Sequence, residues 1–341
     1  MSAARPPEGA RTAARPDEGA PMDTGGDLQA ARAEFLATQD DRLLPIVDAH
    51  HHFWDVERNP HPWLQQRPLI PFRYGDYSAI CRNFLPADYQ ATQGAHRVLR
   101  HVLMEGEWDP RDPTGEAHWV QALARETGKP HALAAQAWLD RGEVLDEQLA
   151  AYARLPLVRS VRHKPRSLPR AEHHAGYAEP GSMRCARWRA GYARLEAAGL
   201  MFELQAPWWH FGEAAELARD FPRTRIVVNH TGLPAERDDA SLAAWRGAME
   251  TLARAPNVFL KISGLGVAGR RWTPALQAPV VNDAIRIFGW QRCMFASNHP
   301  VDALVASLDD IFAGFKQITA ALPADQRLAL FCDNAAGVYR L

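Results

Sequence analysis

The stretch IVDAHHHFWD, residues 46–55, sets the apolar pair Ile46-Val47 before Asp48 and then three consecutive histidines. Side chains alternate along an extended strand, so His50 and His52 share one side and can grip one ion together, while His51 points away. The plainer alternative is three solvated or core histidines. It is disfavoured because the run stands at a strand end among apolar and turn-forming neighbours. A strand that starts apolar and ends in paired imidazoles suits the first strand of a parallel barrel, whose C-terminal end opens on the mouth where chemistry is found.

Working outward, the chain beyond Leu44 alternates short apolar or β-branched runs with amphipathic helical stretches, the pattern of a parallel α/β fold. Strands two to four are expected at 97–104, 131–138 and 157–163. Strands five to eight are expected at 200–204, 225–229, 258–262 and 293–296. Between them lie helix candidates such as Asp239 to Arg254, where Leu242, Trp245, Met249 and Leu252 fall on one face and Pro256-Asn257 stops the run. Eight such units predict a single (β/α)8 TIM barrel over 45–341. The alternative, an open doubly wound sheet, lacks any Gly-rich phosphate loop after a strand. Residues 27–44 read as an N-terminal helical extension. Residues 1–26, rich in Ala, Pro, Gly and Arg, read as a disordered tail.

Lys and Arg number 39 against 40 Asp and Glu, a formal charge of -1, which leaves no electrostatic footprint for nucleic acid or a membrane surface. No apolar run reaches the length of a membrane span and no secretory leader pattern opens the chain, so a cytoplasmic location and a small-molecule substrate are expected. The four cysteines, Cys81, Cys185, Cys293 and Cys332, are widely spaced and are expected to be reduced and mostly buried.

The polar residues at the strand ends are the candidates for chemistry. They are Asp48, His50 and His52 after strand one, then Glu105 and Glu107 after strand two. Arg162, His163, Lys164 and Arg166 follow strand four. The later strands add Gln205, Asn229, His230, Lys261, Ser263, Asn298, His299 and Asp302. In the cationic run, alternation sends Arg162 and Lys164 to one side and His163 to the other, so only part of it faces the cavity. His163 and Arg166 are taken as the substrate contacts, suited to a carboxylate. Trp54, Trp208 and Trp209 could wall an apolar ring. Ser263 and Ser297 lie in no G-x-S-x-G elbow, which argues against a serine nucleophile.

Several motifs in order, IVDAHHHFW at 46–54, MFELQAPWW at 201–209, IVVNHTGLP at 226–234, NVFLKISGLG at 257–266, RCMFASNHPVD at 292–302 and DNAAGVYRL at 333–341, resemble the amidohydrolase-related (amidohydrolase 2) family. These are metal-dependent TIM-barrel hydrolases that include lactonases. The resemblance implies that His50, His52 and His230 surround a metal position with Lys261 nearby. Zinc is the first expectation because imidazoles suit it, with Mn²⁺ or a metal-free site as alternatives. Much of the superfamily carries at strand eight an Asp that takes a proton from the attacking water. Here that position is Asn298, and an amide is no general base. Some lactonases of the family work without a tightly held ion, and a subset carries Asn here. The family's habit also suggests a small homo-oligomer.

The base must then come from Glu105, Glu107 or His230, with Asp302 a weaker fourth. The plain alternative for the two glutamates is a salt bridge to nearby cations. The expected catalytic set is His50, His52, Glu105, His230 and Asn298. Glu107, His163, Arg166, Gln205, Lys261 and Trp54 are the expected substrate contacts. The leading expectation is water-driven opening of a carboxylated lactone or related cyclic ester or amide. The alternatives are a decarboxylase or lyase on the same scaffold, and a ligand-binding barrel that lost catalysis with Asn298.

Overall fold

The computed structural model describes residues 26–341, and of the expected tail only Gly26 falls within it, opening the helix Gly26–Thr38. Eight parallel strands follow in consecutive order: β1 Pro45–His51, β2 Arg97–Met104, β3 Ala132–Gln136, β4 Val158–Arg162, β5 Met201–Leu204, β6 Ile226–Val228, β7 Val258–Ile262 and β8 Cys293–Phe295. Each pairs with the next, and helices pack between them on the outside. The ring closes where the chain leaving β8 meets β1. The Asn298 N–H donates to the His50 carbonyl at 2.8 Å, and the His52 N–H donates to the His299 carbonyl at 2.7 Å.

Strands buried on both faces read as apolar runs rather than alternating ones, which is why PIVDAHH is buried throughout and IVV suffices for β6. The second and seventh strands have the expected bounds, while β3, β4, β5, β6 and β8 are trimmed at one or both ends. Those trimmed residues, such as His131 and His163, sit where ladder pairing gives way to the turns.

Helix ends follow local chemistry. Asp238 accepts from the Ser241 N–H at 2.9 Å and starts Asp239–Ala253, whose Leu242, Trp245, Met249 and Leu252 are buried. Ser307 caps Leu308–Ile318 in the same way. The cysteines form no disulfide; Cys293 and Cys332 are buried as expected, whereas Cys81 and Cys185 are only half-buried. Among the described residues no helix is long and apolar enough to cross a membrane.

Candidate active site

Asp48 organises the junction that builds the mouth. One of its carboxylate oxygens accepts from the Ser297 N–H at 2.9 Å and the His50 N–H at 3.3 Å. The other accepts from the Ser297 hydroxyl at 2.5 Å and the Tyr89 hydroxyl at 2.6 Å. Burial pushes this carboxyl up, and those donors hold it back toward the ionised form. The consequence is positional: the ends of β1 and β8, carrying His50, His52 and Asn298, are locked to one another.

Three imidazoles meet there. The His50 ring lies 5.3 Å from His52 and 4.4 Å from His230, centroid to centroid. The histidine between, His51, faces the other way and packs on Phe53, Tyr89 and His101. Burial, then the neighbouring positive charges, holds His50, His52 and His230 well below the ordinary imidazole range, so all three are neutral near pH 7. His52 uses Nδ1 on the Met104 carbonyl at 3.1 Å, and a neutral ring that donates there keeps a lone pair on Nε2. His230 places Nδ1 2.9 Å from the Ser263 hydroxyl. Neither nitrogen of buried His50 has a partner.

The turn that carries His230 is conformationally costly. His230 has φ 57° and Asn298 φ 54°, both in the left-handed region that non-glycine residues rarely adopt, and Glu107 joins them at φ 60°. Such conformations cost roughly 1–3 kcal/mol each and cluster at functional sites. Gly264, itself at φ +60°, makes room for the arrangement: a Cβ there would lie 2.5 Å from His230 Nδ1.

A pocket of about 260 Å³ opens over this ground. His52, His230 and Asn298 line it with Glu105, Glu107, Arg162, Lys164 and Gln205. Arg162 is fully engaged. Its Nε donates to Glu105 Oε1 at 2.5 Å, one terminal nitrogen donates to the Glu105 carbonyl at 2.7 Å, and the other to Gln205 Oε1 at 2.9 Å. The second Glu105 oxygen accepts from the Glu107 N–H at 2.8 Å. Burial would raise the Glu105 carboxyl, but the Arg162 and Lys164 charges outweigh it and hold it below its ordinary value. Lys164 pairs with Glu107 at the half-exposed rim. Asn298 donates through Nδ2 to Asp302 at 2.7 Å, and the same Asp302 oxygen takes the Tyr74 hydroxyl at 3.0 Å and Arg73 at 3.4 Å.

Several expected contacts lie elsewhere. His163, on the opposite side of its strand from Arg162 and Lys164, accepts from the Leu139 N–H at 3.1 Å and packs between Trp138 and Trp188. Arg166 is exposed, away from the pocket lining. The cations that the β4 run brings to the pocket are Arg162 and Lys164, the other half of the alternation. Trp54 is buried behind the site, donating to the Arg82 carbonyl at 2.8 Å. Lys261 does not line the pocket but lies in the barrel interior near the imidazoles, where its charge helps lower His50 and His230 and its Nζ meets Glu203 at 2.9 Å. Burial lowers it to about 8, although Glu203 opposes that shift. The Ser160 hydroxyl, the Asn229 amide and the Tyr339 hydroxyl complete the shell around Glu203. Trp208 and Trp209 pack under the β4 loop, at Arg170 and the Leu168 carbonyl.

Sequence reasoning missed the segment after β1. Trp63, Ile70, Pro71, Phe72 and Arg73 form the pocket's apolar wall and third cation. Its signal was the aromatic and proline-rich run WLQQRPLIPFRY at 63–74, too irregular to read as an element. Glu116 was missed as well. It accepts from the Gly106 N–H at 2.7 Å behind Glu105, and burial followed by the Glu105 charge pushes it well up.

Comparison with known proteins agrees with this architecture. The protein y4mH of Sinorhizobium fredii, described as uncharacterised, is 40% identical over 306 residues, spanning 87% of this chain and 99% of its own. An L-fucono-1,5-lactonase of Burkholderia multivorans is 27% identical, over 86% of this chain and 96% of its own. A crystal structure of a Burkholderia multivorans amidohydrolase with bound zinc superposes with a TM-score of 0.71 at 24% identity, covering 87% of this chain and 99% of that one. A sequence model of the amidohydrolase family matches residues 47–341, and with that span the chain belongs to the amidohydrolase family as a hydrolase of its superfamily.

Proposed function

We propose that the protein opens a polar lactone ring by attack of water at the barrel mouth. The observation that carries this reading is the set of three neutral, clustered imidazoles, two of which line one pocket together with Asn298, Arg73, Arg162 and Lys164. The lactonase named among its relatives agrees with it.

The donor chemistry fits a divalent ion. His50 offers unpartnered buried nitrogens, His52 keeps a lone pair on Nε2, and Asn298, its amide nitrogen spent on Asp302, keeps a carbonyl oxygen. His50 and His52 would hold the ion, zinc first, and Asn298 would be a neutral donor beside them. When bound, the ion polarises the ring carbonyl and acidifies water. His230 has a separate task. With its Nδ1–H directed to Ser263, Nε2 accepts the proton of the attacking water and returns it to the departing ring oxygen. Glu105 is not the base, because both of its oxygens are already engaged; it holds Arg162 in place.

The pocket's charge also bears on the substrate. Arg162 is charge-paired with Glu105 and also bonded to Gln205, so its remaining terminal N–H groups suit ring hydroxyls rather than a second anion. Lys164 and Arg73, 41% and 30% exposed, pair with Glu107 and Asp302 near solvent, where an exchange of partner for an anionic substituent or the carboxylate formed on ring opening costs less than at buried Arg162. A sugar-acid lactone with several hydroxyls satisfies both halves. The test is a panel of sugar-derived 1,4- and 1,5-lactones, with and without a carboxylate, turned over in ¹⁸O-water. One labelled oxygen in the new carboxylate is expected; release of carbon dioxide with no label gained by the organic product, or no turnover across the panel, contradicts the reading.

A further inference from the structure

Away from the mouth, His173, His210 and Glu213 bring one donor atom each to within 4.8 Å of one another, the one such triad among the described residues. His173 follows the short turn Arg170–Glu172 in the long connection 163–185 between β4 and the helix Ala186–Tyr192. His210 ends the turn Trp208–His210 after β5, and Glu213 lies in the first turn of the helix Phe211–Asp220. Two stretches far apart in sequence therefore meet at one point.

We propose that this triad is a zinc site separate from the mouth, with water in the fourth position, that clips the β4 connection to the turn after β5. Glu213 Oε1 lies 2.9 Å from His173 Nε2 and 3.2 Å from His210 Nδ1, so one carboxylate oxygen already faces two imidazole nitrogens. Two histidines and a glutamate form a donor set that binds zinc tetrahedrally with one position left over. The surroundings suit it. Glu213 and His210 are buried, while His173, one-fifth exposed, provides the approach from solvent.

His210 Nε2 stands 3.0 Å from the Leu168 N–H and 3.4 Å from the Leu168 carbonyl. Without metal, Nδ1–H donates to Glu213 and Nε2 accepts from Leu168. With metal on Nδ1 the proton moves to Nε2, so the Leu168 N–H bond is given up in exchange for one to the Leu168 carbonyl, the outer-shell bond that zinc-bound imidazoles commonly make. The competing cation is Arg184, 3.7 Å from Glu213, but its guanidinium is committed to Glu216 at 2.6 and 2.7 Å and to the Ala175 carbonyl. Since the clipped connection carries Lys164 near its start, an ion here would order the pocket rim without touching substrate.

The test uses the full chain, stripped with chelator and dialysed against Zn²⁺, with zinc per chain counted. Wild type, His173→Ala and His173→Gln are compared, and each is also made in a background with His50, His52 and His230 replaced by Ala. The glutamine keeps a hydrogen bond to Glu213 but is a poor zinc ligand, so it separates metal binding from a hydrogen-bonding role. One equivalent is expected to persist without the mouth imidazoles. Both His173 variants should lose it, along with the zinc-induced rise in Tm seen when His173 is present. If the His50/His52/His230 background fails to fold, the fall of one equivalent between folded wild type and folded His173→Gln decides the question. Zinc content unchanged by either His173 substitution, or no zinc once the mouth imidazoles are gone from a folded chain, overturns the proposal.

Discussion

At Asn298 the side chain decides what a neighbouring carboxylate can do. Its Nδ2 is a donor to Asp302, whose carboxyl burial pushes up while Arg73, Asn298 and Tyr74 hold it back. Asn298→Asp would turn that donor into an acceptor and set two carboxylates against each other, so one must take a proton for the chain to stay folded. We expect the substitution to cost roughly 2 kcal/mol or more. The loss should be larger at pH 8 than at pH 5, because the shared proton is held only below the pair's raised pKa. Turnover should not rise. Urea unfolding at the two pH values checks this, and a variant as stable as wild type at pH 8 contradicts it. The paired imidazoles His50 and His52 were legible in the sequence because a strand's period of two is rigid. The same period separated Arg162 and Lys164 from His163, yet which side faced the cavity was not legible, since that depends on the orientation of β4 in the closed ring. The Arg162–Glu105 contact, between residues far apart in the chain, left no local trace either.

At the scale of elements, strands were legible as short apolar runs because both of their faces are buried, and Asp239–Ala253 because its buried positions recur every three or four residues. The segment 61–74 obeys neither period. Its shape comes from tertiary contacts: Trp63 donates to the Gly106 carbonyl at 2.8 Å and its ring packs on Phe72, Tyr77 and Trp54. This wall shapes the pocket without supplying a reacting group. Trp63→Ala is therefore expected to raise KM for a lactone by about tenfold or more, the loss of one aromatic wall, while kcat falls less. An unchanged KM would remove this segment from the substrate's surroundings.

For the whole molecule, burying so many imidazoles ties stability to pH. Burial lowers His50, His51, His52, His101 and His230 well below their ordinary value, and His131 and His299 to about 4. In the unfolded chain each takes a proton below about pH 6.5, whereas the folded chain keeps it neutral. The unfolded state then binds more protons, so stability falls on acidification, by about 1.4 kcal/mol per pH unit for each such histidine. Unfolding free energy should be level above pH 7 with respect to these groups and decline steeply below 6.5; a rise on acidification contradicts the burial. The same neutrality is central to function, because only uncharged imidazoles can hold an ion or accept a proton from water. The most direct measurement is kcat/KM for ring opening of a turned-over lactone by wild type, His52→Ala and His230→Ala, with folding checked by circular dichroism. A loss of roughly 10² to 10⁴ is expected in each folded variant, with wild-type activity persisting below pH 6.5 for as long as the fold does. Folded variants that keep wild-type kcat/KM would contradict it.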